Sequence, residues 1–115
     1  MNTQSASDLS LRLPGYSALH TIKSIARLEG NGNYTFVHLD NSSKPLLVCQ
    51  TLKWFEEQIP DFIRISKSEI INPAWVQDLV KVNTKTVYLR LRNGNFHSVS
   101  RRRAAQILDR FQSYN

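Results

Sequence analysis

Hydrophobic and polar positions alternate along much of the chain, and this alternation predicts a mostly β protein. In residues 86–92 every second side chain is aliphatic while those between are polar or aromatic, the pattern of a strand with one buried face. The pair Asn93-Gly94 predicts a tight hairpin after that strand. Related patterns predict strands over residues 20–28, 34–39, 46–49, 62–65, 69–71, 74–82 and 95–99.

Two segments carry helical rather than strand periodicity. Thr51 can cap a short helix near residues 51–59, which Pro60 ends. The last segment places apolar residues at i, i+3, i+4 and i+7, namely Ala104, Ile107, Leu108 and Phe111. This spacing predicts a C-terminal helix over residues 101–113 that docks its apolar stripe on the sheets.

Length and composition indicate one compact domain, because the chain has 115 residues of which 41% are hydrophobic and 21% charged. We expect an N-terminal arm over residues 1–20, partly disordered or extended, and the domain over residues 21–115. No apolar run approaches the roughly 20 residues of a membrane helix, and the chain does not begin like a secretory signal. The single cysteine, Cys49, fits a reducing cytosol, so we expect a cytoplasmic protein. Because Cys49 follows three aliphatic residues, we expect its thiol to be buried in a strand.

The positive charge is concentrated in the second half of the chain. The net charge is +6; residues 1–63 hold five basic and six acidic side chains, whereas residues 64–115 hold ten basic and three acidic ones. A field so unevenly distributed is typical of a protein that binds a polyanion.

Three consecutive arginines begin the predicted C-terminal helix. Ser100 is a good N-cap residue, and Arg101, Arg102 and Arg103 would then occupy the first turn. Each cation there costs a few tenths of a kcal/mol against the helix dipole, whereas a bound phosphate would attract both the arginines and the amides. The segment therefore predicts a phosphate site, and the alternative is a solvated turn with one arginine paired to an acid.

Two further segments are candidates for nucleic-acid contact. Residues 29–33 predict a loop whose glycines allow close approach and whose asparagines, Asn31 and Asn33, can read adenine or bind phosphate. The alternative is an ordinary β-turn, and Tyr34 beside it could stack on a base. The segment from Ser66 to Ser68 offers three hydrogen-bonding side chains near Arg64, and its alternative is a capped turn.

Signals for catalysis or metal binding are weak. The three histidines, His20, His38 and His97, share no close spacing with one another or with Cys49, which argues against a zinc site. No phosphate loop, dinucleotide fingerprint or zinc-protease helix occurs. We therefore expect a protein that is not an enzyme and has no catalytic residue, metal or cofactor.

Several segments occur in an order and spacing that is specific when taken together. They are residues 25–34 (Ile-Ala-Arg-Leu-Glu-Gly-Asn-Gly-Asn-Tyr), 37–39, 51–52, 62–68 (Phe-Ile-Arg-Ile-Ser-Lys-Ser), 70–73 and 99–102 (Val-Ser-Arg-Arg). Over about residues 22–108 the chain resembles the LytTR DNA-binding domain, the output module of the LytR/AgrA class of bacterial response regulators in two-component systems. The resemblance implies a mainly β fold, an elongated arrangement of small antiparallel sheets with short helices.

The resemblance also implies sequence-specific binding of double-stranded DNA by a transcription regulator whose loops enter successive major grooves. The base-contact candidates are Asn31, Asn33, Lys67 and Arg101. The phosphate-contact candidates are Tyr34, Arg64, Ser66, Ser68, Ser100, Arg102 and Arg103. Family behaviour implies promoter direct repeats, with a weak homodimer or tandem binding on DNA.

Members usually carry an N-terminal receiver or a membrane segment, whereas about twenty residues precede the domain here. A separate signalling partner could replace the receiver, or the chain could be a fragment of a longer regulator. Two other functions remain open: a protein-interaction domain that binds an acidic partner, and an RNA-binding module, which would need exposed aromatic side chains for stacking.

Overall fold

The computed structural model describes residues 9–40 and 42–112 and contains three antiparallel sheets and two helices. The strands are β1 (Ser10–Arg12), β2 (Leu19–Thr21), β3 (Ile25–Asn31), β4 (Tyr34–Leu39), β5 (Leu46–Val48), β6 (Ile63–Ser66), β7 (Glu69–Ile71), β8 (Val76–Asn83), β9 (Thr86–Leu91) and β10 (Phe96–Val99). The helices are α1 (Leu52–Gln58) and α2 (Arg101–Gln112), and short 3-10 turns cover Ile22–Ser24 and Pro73–Trp75. Residues 1–8 of the predicted arm and Ser113 of the predicted last helix lie outside the described residues.

The largest sheet has five strands in the order β5-β4-β3-β7-β6. Its centre is β3, which pairs with β4 on one side and with β7 on the other. The second sheet, β10-β9-β8, is a meander, and β1 and β2 form a separate two-stranded ribbon. Neighbouring strands in the three sheets are thus consecutive in the sequence, except for the pair of β3 and β7.

Two hydrophobic cores lie on different parts of the five-stranded sheet. In the first, α1 packs Leu52 and Phe55 against the sheet, and Leu13 from the connection after β1 is fully buried there. In the second, α2 packs against β6 and β9. The residues that α2 contributes to this core are Ala104, Ile107 and Leu108, with Phe111 partly buried beside them. The apolar stripe predicted from the sequence is therefore the buried face of α2.

Polar side chains hold the ends of several short elements in place. Asn72 is 4% exposed, and its side-chain amide donates to the Ile25 carbonyl at 2.8 Å while its oxygen accepts the Ala74 amide at 3.0 Å. Thr51 accepts the Trp54 amide at 3.3 Å and so caps α1 as the sequence predicted. These bonds satisfy backbone groups at the ends of short elements, where the regular ladders stop.

Three local expectations about the sheets are wrong. The predicted strand over residues 20–28 is divided by the 3-10 turn Ile22–Ser24. The predicted loop over residues 29–33 is mostly strand, because β3 continues to Asn31 and Gly30 pairs with Thr35. Gly30 is required there by close packing, since a Cβ atom would lie 2.8 Å from the Leu52 side chain. Cys49 is exposed rather than buried, because Val48 takes the inward position at the end of β5 and the next side chain points outward.

Candidate nucleic-acid interface

The turn between β3 and β4 has only two residues, Gly32 and Asn33. Gly32 has a φ of +62° at the first central position, as in a type II′ turn, which matches the twist of a hairpin. Asn31 and Tyr34 face each other as the last strand pair. Asn31, Asn33 and Tyr34 are all exposed, Tyr34 by 48%, so this turn presents two amides and a phenol to solvent.

The turn between β6 and β7 is held by Arg64. Its guanidinium donates to the Ser66 carbonyl at 2.7 Å, to the Lys67 carbonyl at 2.6 Å and to the Glu56 carboxylate of α1 at 2.6 Å. The Ser68 amide also donates to the Ser66 hydroxyl at 3.2 Å. Lys67 therefore projects from a fixed backbone, and among the described residues its ammonium group has no ion-pair partner.

Helix α2 begins at Arg101, and Ser100 precedes it at the position of an N-cap. The Ser100 carbonyl accepts the Arg103 amide at 3.0 Å, but its hydroxyl is buried without a hydrogen-bond partner in the described structure. The predicted side-chain cap is therefore wrong. Arg101 and Arg102 are exposed and Arg103 is half-buried, and none of the three forms an ion pair with any described carboxylate.

Two backbone hydrogen bonds bring these three segments together. The Gly30 amide donates to the Ser68 carbonyl at 2.8 Å, which sets the β6–β7 turn beside the β3–β4 turn. The Ser100 amide donates to the Ile65 carbonyl at 2.8 Å, which sets the start of α2 beside the end of β6. We call residues 31–34, 66–68 and 100–103 the basic edge. They are far apart in the sequence, and they form a continuous series at one end of the five-stranded sheet.

A part-buried ion-pair network lies behind the basic edge. Glu69, 16% exposed, accepts from Arg27 at 3.0 Å and contacts the His97 ring at 2.8 Å. Glu29 contacts His38 at 3.1 Å and lies 3.9 Å from Arg27. The acid next to the Lys67 turn is thus turned inward, and it joins β10 to the five-stranded sheet. The sequence did not reveal this network, because its members come from four strands.

Arg90, a basic residue in the second half of the chain, forms its ion pair away from the basic edge. Arg90 on β9 forms a two-pronged ion pair with Asp78 on β8, and its guanidinium carbon lies 6.0 Å from the centre of the Phe96 ring. Hydrogen bonding to Asp78, and then its negative charge, raises the pKa of Arg90. Arg90 therefore links β8 to β9 within the three-stranded sheet.

A site of another kind would need a cluster of metal ligands or a long apolar helix in the part of the chain that the structure describes. No group of three or more histidine, cysteine or acidic side chains there could hold a metal ion. None of the helices in those residues has the length and apolar character required to span a membrane.

A model of the LytTr DNA-binding domain family matches residues 17–112, which is most of the chain. The fold and the match define a DNA-binding domain of the kind found in transcription regulators. The LytTR family is a family of DNA-binding domains and not of enzymes. The chain belongs to the LytTR family, as the sequence resemblance predicted.

A solved structure gives the same fold. The LytTr DNA-binding domain of a Bacillus cereus methyl-accepting/DNA response regulator superposes with a TM-score of 0.71 over 91% of this chain and 96% of that one. At 21% sequence identity, this similarity bears on the fold alone. The predicted mainly β class, with small antiparallel sheets and two helices, is confirmed. No curated protein sequence matches the chain.

Proposed function

We propose that the chain is a transcription regulator that binds double-stranded DNA sequence-specifically, with the basic edge entering successive major grooves. The observation that carries the proposal is the pair of backbone hydrogen bonds from Gly30 to Ser68 and from Ser100 to Ile65. Through them, three segments with groups suited to DNA contact occupy neighbouring positions. Exposed asparagine, lysine and arginine side chains without competing carboxylates can reach both base edges and phosphates.

In this proposal the base contacts come from Asn31, Asn33, Lys67 and Arg101. Arginine and asparagine can each form two hydrogen bonds with one base, to guanine and adenine respectively, so these side chains carry the sequence information. Lysine donates to guanine acceptors as a point charge.

The phosphate contacts come from Arg102 and Arg103, from the first amides of α2, and from Tyr34, Ser66 and Ser68 at the other two turns. The helix start suits a phosphate because its amides and the nearby guanidiniums all attract negative charge. These contacts set the register of the protein on the duplex.

Two residues that the sequence assigned to phosphates have supporting roles in this proposal. Arg64 donates three hydrogen bonds within the protein and holds the backbone that carries Lys67. Ser100 gives its amide to Ile65 and has a buried hydroxyl, so it fixes where α2 begins.

We also propose the biological setting in which the protein acts. A protein of this kind works in the cytoplasm, on promoter direct repeats occupied by two copies in tandem or as a weak homodimer. A separate signalling partner would then control it.

The test is selection of bound duplexes from a random pool, followed by affinity measurements over a range of salt. Because only cationic contacts release counterions, the four cations of the basic edge (Lys67, Arg101, Arg102 and Arg103) predict a log–log salt slope of about −3 to −4 with the selected duplex. Structured RNA and a random duplex serve as competitors. Salt-independent binding, equal binding to RNA, or failure to enrich any sequence would contradict the proposal.

A further inference from the structure

The hairpin between β8 and β9 carries two lysines, Lys81 and Lys85, that lie outside the basic edge. We call residues 81–86 (Lys-Val-Asn-Thr-Lys-Thr) the lysine hairpin. Its tip is rigid, because the Asn83 side-chain oxygen accepts the amides of Lys85 and Thr86, each at 2.9 Å. The closed tip fixes the backbone at Lys85, and the pairing with Val87 on β9 fixes it at Lys81.

Strand register sets the lysine hairpin beside the start of α2. On β9, Val87 pairs with Lys81 of β8 on one side and with Val99 of β10 on the other. Val99 is followed directly by Ser100 and the arginines of the basic edge. The hairpin tip and the start of α2 therefore emerge from the same end of the three-stranded sheet.

The order of segments along this end of the molecule follows from the same pairings. The β3–β4 turn adjoins the β6–β7 turn, whose strand β6 is the last of the five-stranded sheet. The start of α2 adjoins β6, and the lysine hairpin adjoins the start of α2. The hairpin thus extends the basic edge beyond its last member.

The charge of the hairpin is not balanced. The sequence has no acidic residue between Asp78 and Asp109, and Asp78 is already paired with Arg90. Lys81 and Lys85 are exposed, and within the described residues neither ammonium group makes an ion pair or hydrogen bond. Unpaired cations next to three arginines repel one another, and a phosphate backbone would offset that repulsion.

We propose that the lysine hairpin is a further DNA-contacting segment, in which Lys81 and Lys85 bind backbone phosphates that flank the stretch contacted by the start of α2. The inference rests on the proposed function and extends its site. Lysine is a compact point charge without the planar fork of arginine, so these contacts add affinity and not base preference.

The test compares the double variant Lys81→Ala/Lys85→Ala with Lys44→Ala. Lys44 is also exposed and lies in the connection from β4 to β5, at the opposite end of the five-stranded sheet from the basic edge. The double variant should lose roughly 10- to 30-fold in affinity at physiological salt, by a similar factor for selected and random duplexes, and its salt slope should be shallower by about 2. Lys44→Ala should change neither quantity.

Charge and duplex length supply the controls. Lys81→Arg/Lys85→Arg should have the salt slope of the wild type. Equal unfolding temperatures of the wild type and both double variants would show that the fold is intact. Trimming the selected duplex from one end should lower the affinity of the wild type to that of the alanine double variant. The affinity of the double variant should not change. A double variant with the wild-type slope would overturn the inference while leaving the proposed function standing. A wild type without salt-dependent duplex binding would overturn both.

Discussion

Arg64 and Arg101 belong to neighbouring segments and have opposite environments, and this difference distinguishes the role proposed for each. Arg64 is bound to two carbonyls and a carboxylate of its own chain, whereas Arg101 is exposed and forms no ion pair with a described acid. A guanidinium left unpaired in the first turn of a helix weakens that helix slightly. Of these two arginines, Arg101 is therefore the one whose guanidinium is left for the DNA contact that we propose.

For Arg101→Ala we expect a loss of about 1–3 kcal/mol of discrimination at one base pair of the selected duplex. The reason is that a two-pronged contact with a guanine would disappear. Thermal unfolding should be unchanged or occur at slightly higher temperature, because a cation is removed from the positive end of α2. Affinities for all single-base variants of the duplex measure the effect.

The matched control is Arg103→Ala, which should weaken binding to every duplex by a similar factor. If Arg101→Ala left the ranking of duplexes as it is in the wild type, the base-reading role of Arg101 would be wrong.

At the scale of the elements, the sequence predicted most helices and strands but not how the strands pair. The alternation in residues 86–92 is local, so β9 is evident from the sequence alone. The end of β3 is not evident from the sequence, because Gly30 and Asn31 are typical turn residues. They belong to the strand only through pairing with Thr35 and Tyr34 of β4. Strand β7 likewise finds its place beside β3 through contacts that no sequence window contains.

The β6–β7 turn depends on one side chain, and this gives an element-scale prediction. Arg64→Ala removes three hydrogen bonds, so we expect a loss of about 1–3 kcal/mol in the free energy of unfolding. Under the proposed function, discrimination at the base pair contacted by Lys67 should fall as well, because the backbone that carries this lysine is no longer held. Denaturant unfolding and duplex binding measure the two effects.

Glu56→Gln serves as its control, because it removes only the exposed ion pair and should cost less than about 1 kcal/mol. An Arg64→Ala protein as stable as the wild type would show that the turn holds its shape without the arginine.

The β3–β4 turn requires a left-handed residue at Gly32. Gly32→Ala should destabilise the protein by about 1 kcal/mol, since alanine is strained at a φ of +62°, and Gly32→Asn should cost less. Chemical denaturation of the two variants tests this order. Equal stability of Gly32→Ala and the wild type would mean that the turn adopts another conformation.

At the scale of the whole molecule, the sequence identified three segments that could contact DNA, whereas their arrangement depends on long-range bonds. The bonds from Gly30 to Ser68 and from Ser100 to Ile65 connect residues 38 and 35 positions apart by their numbers in the sequence. The Glu69 network and the position of the lysine hairpin depend in the same way on strands that are distant in the sequence. Local patterns therefore identified the chemical groups, and only the fold relates them to one another.

Amide hydrogen exchange, measured with and without a selected duplex, tests most directly whether the basic edge is one DNA-binding surface. We expect the duplex to slow exchange at residues 31–34, 66–68 and 100–103 together, and to leave the region around Lys44 unchanged. Slowed exchange around Lys44, with those three segments unaffected, would contradict the account.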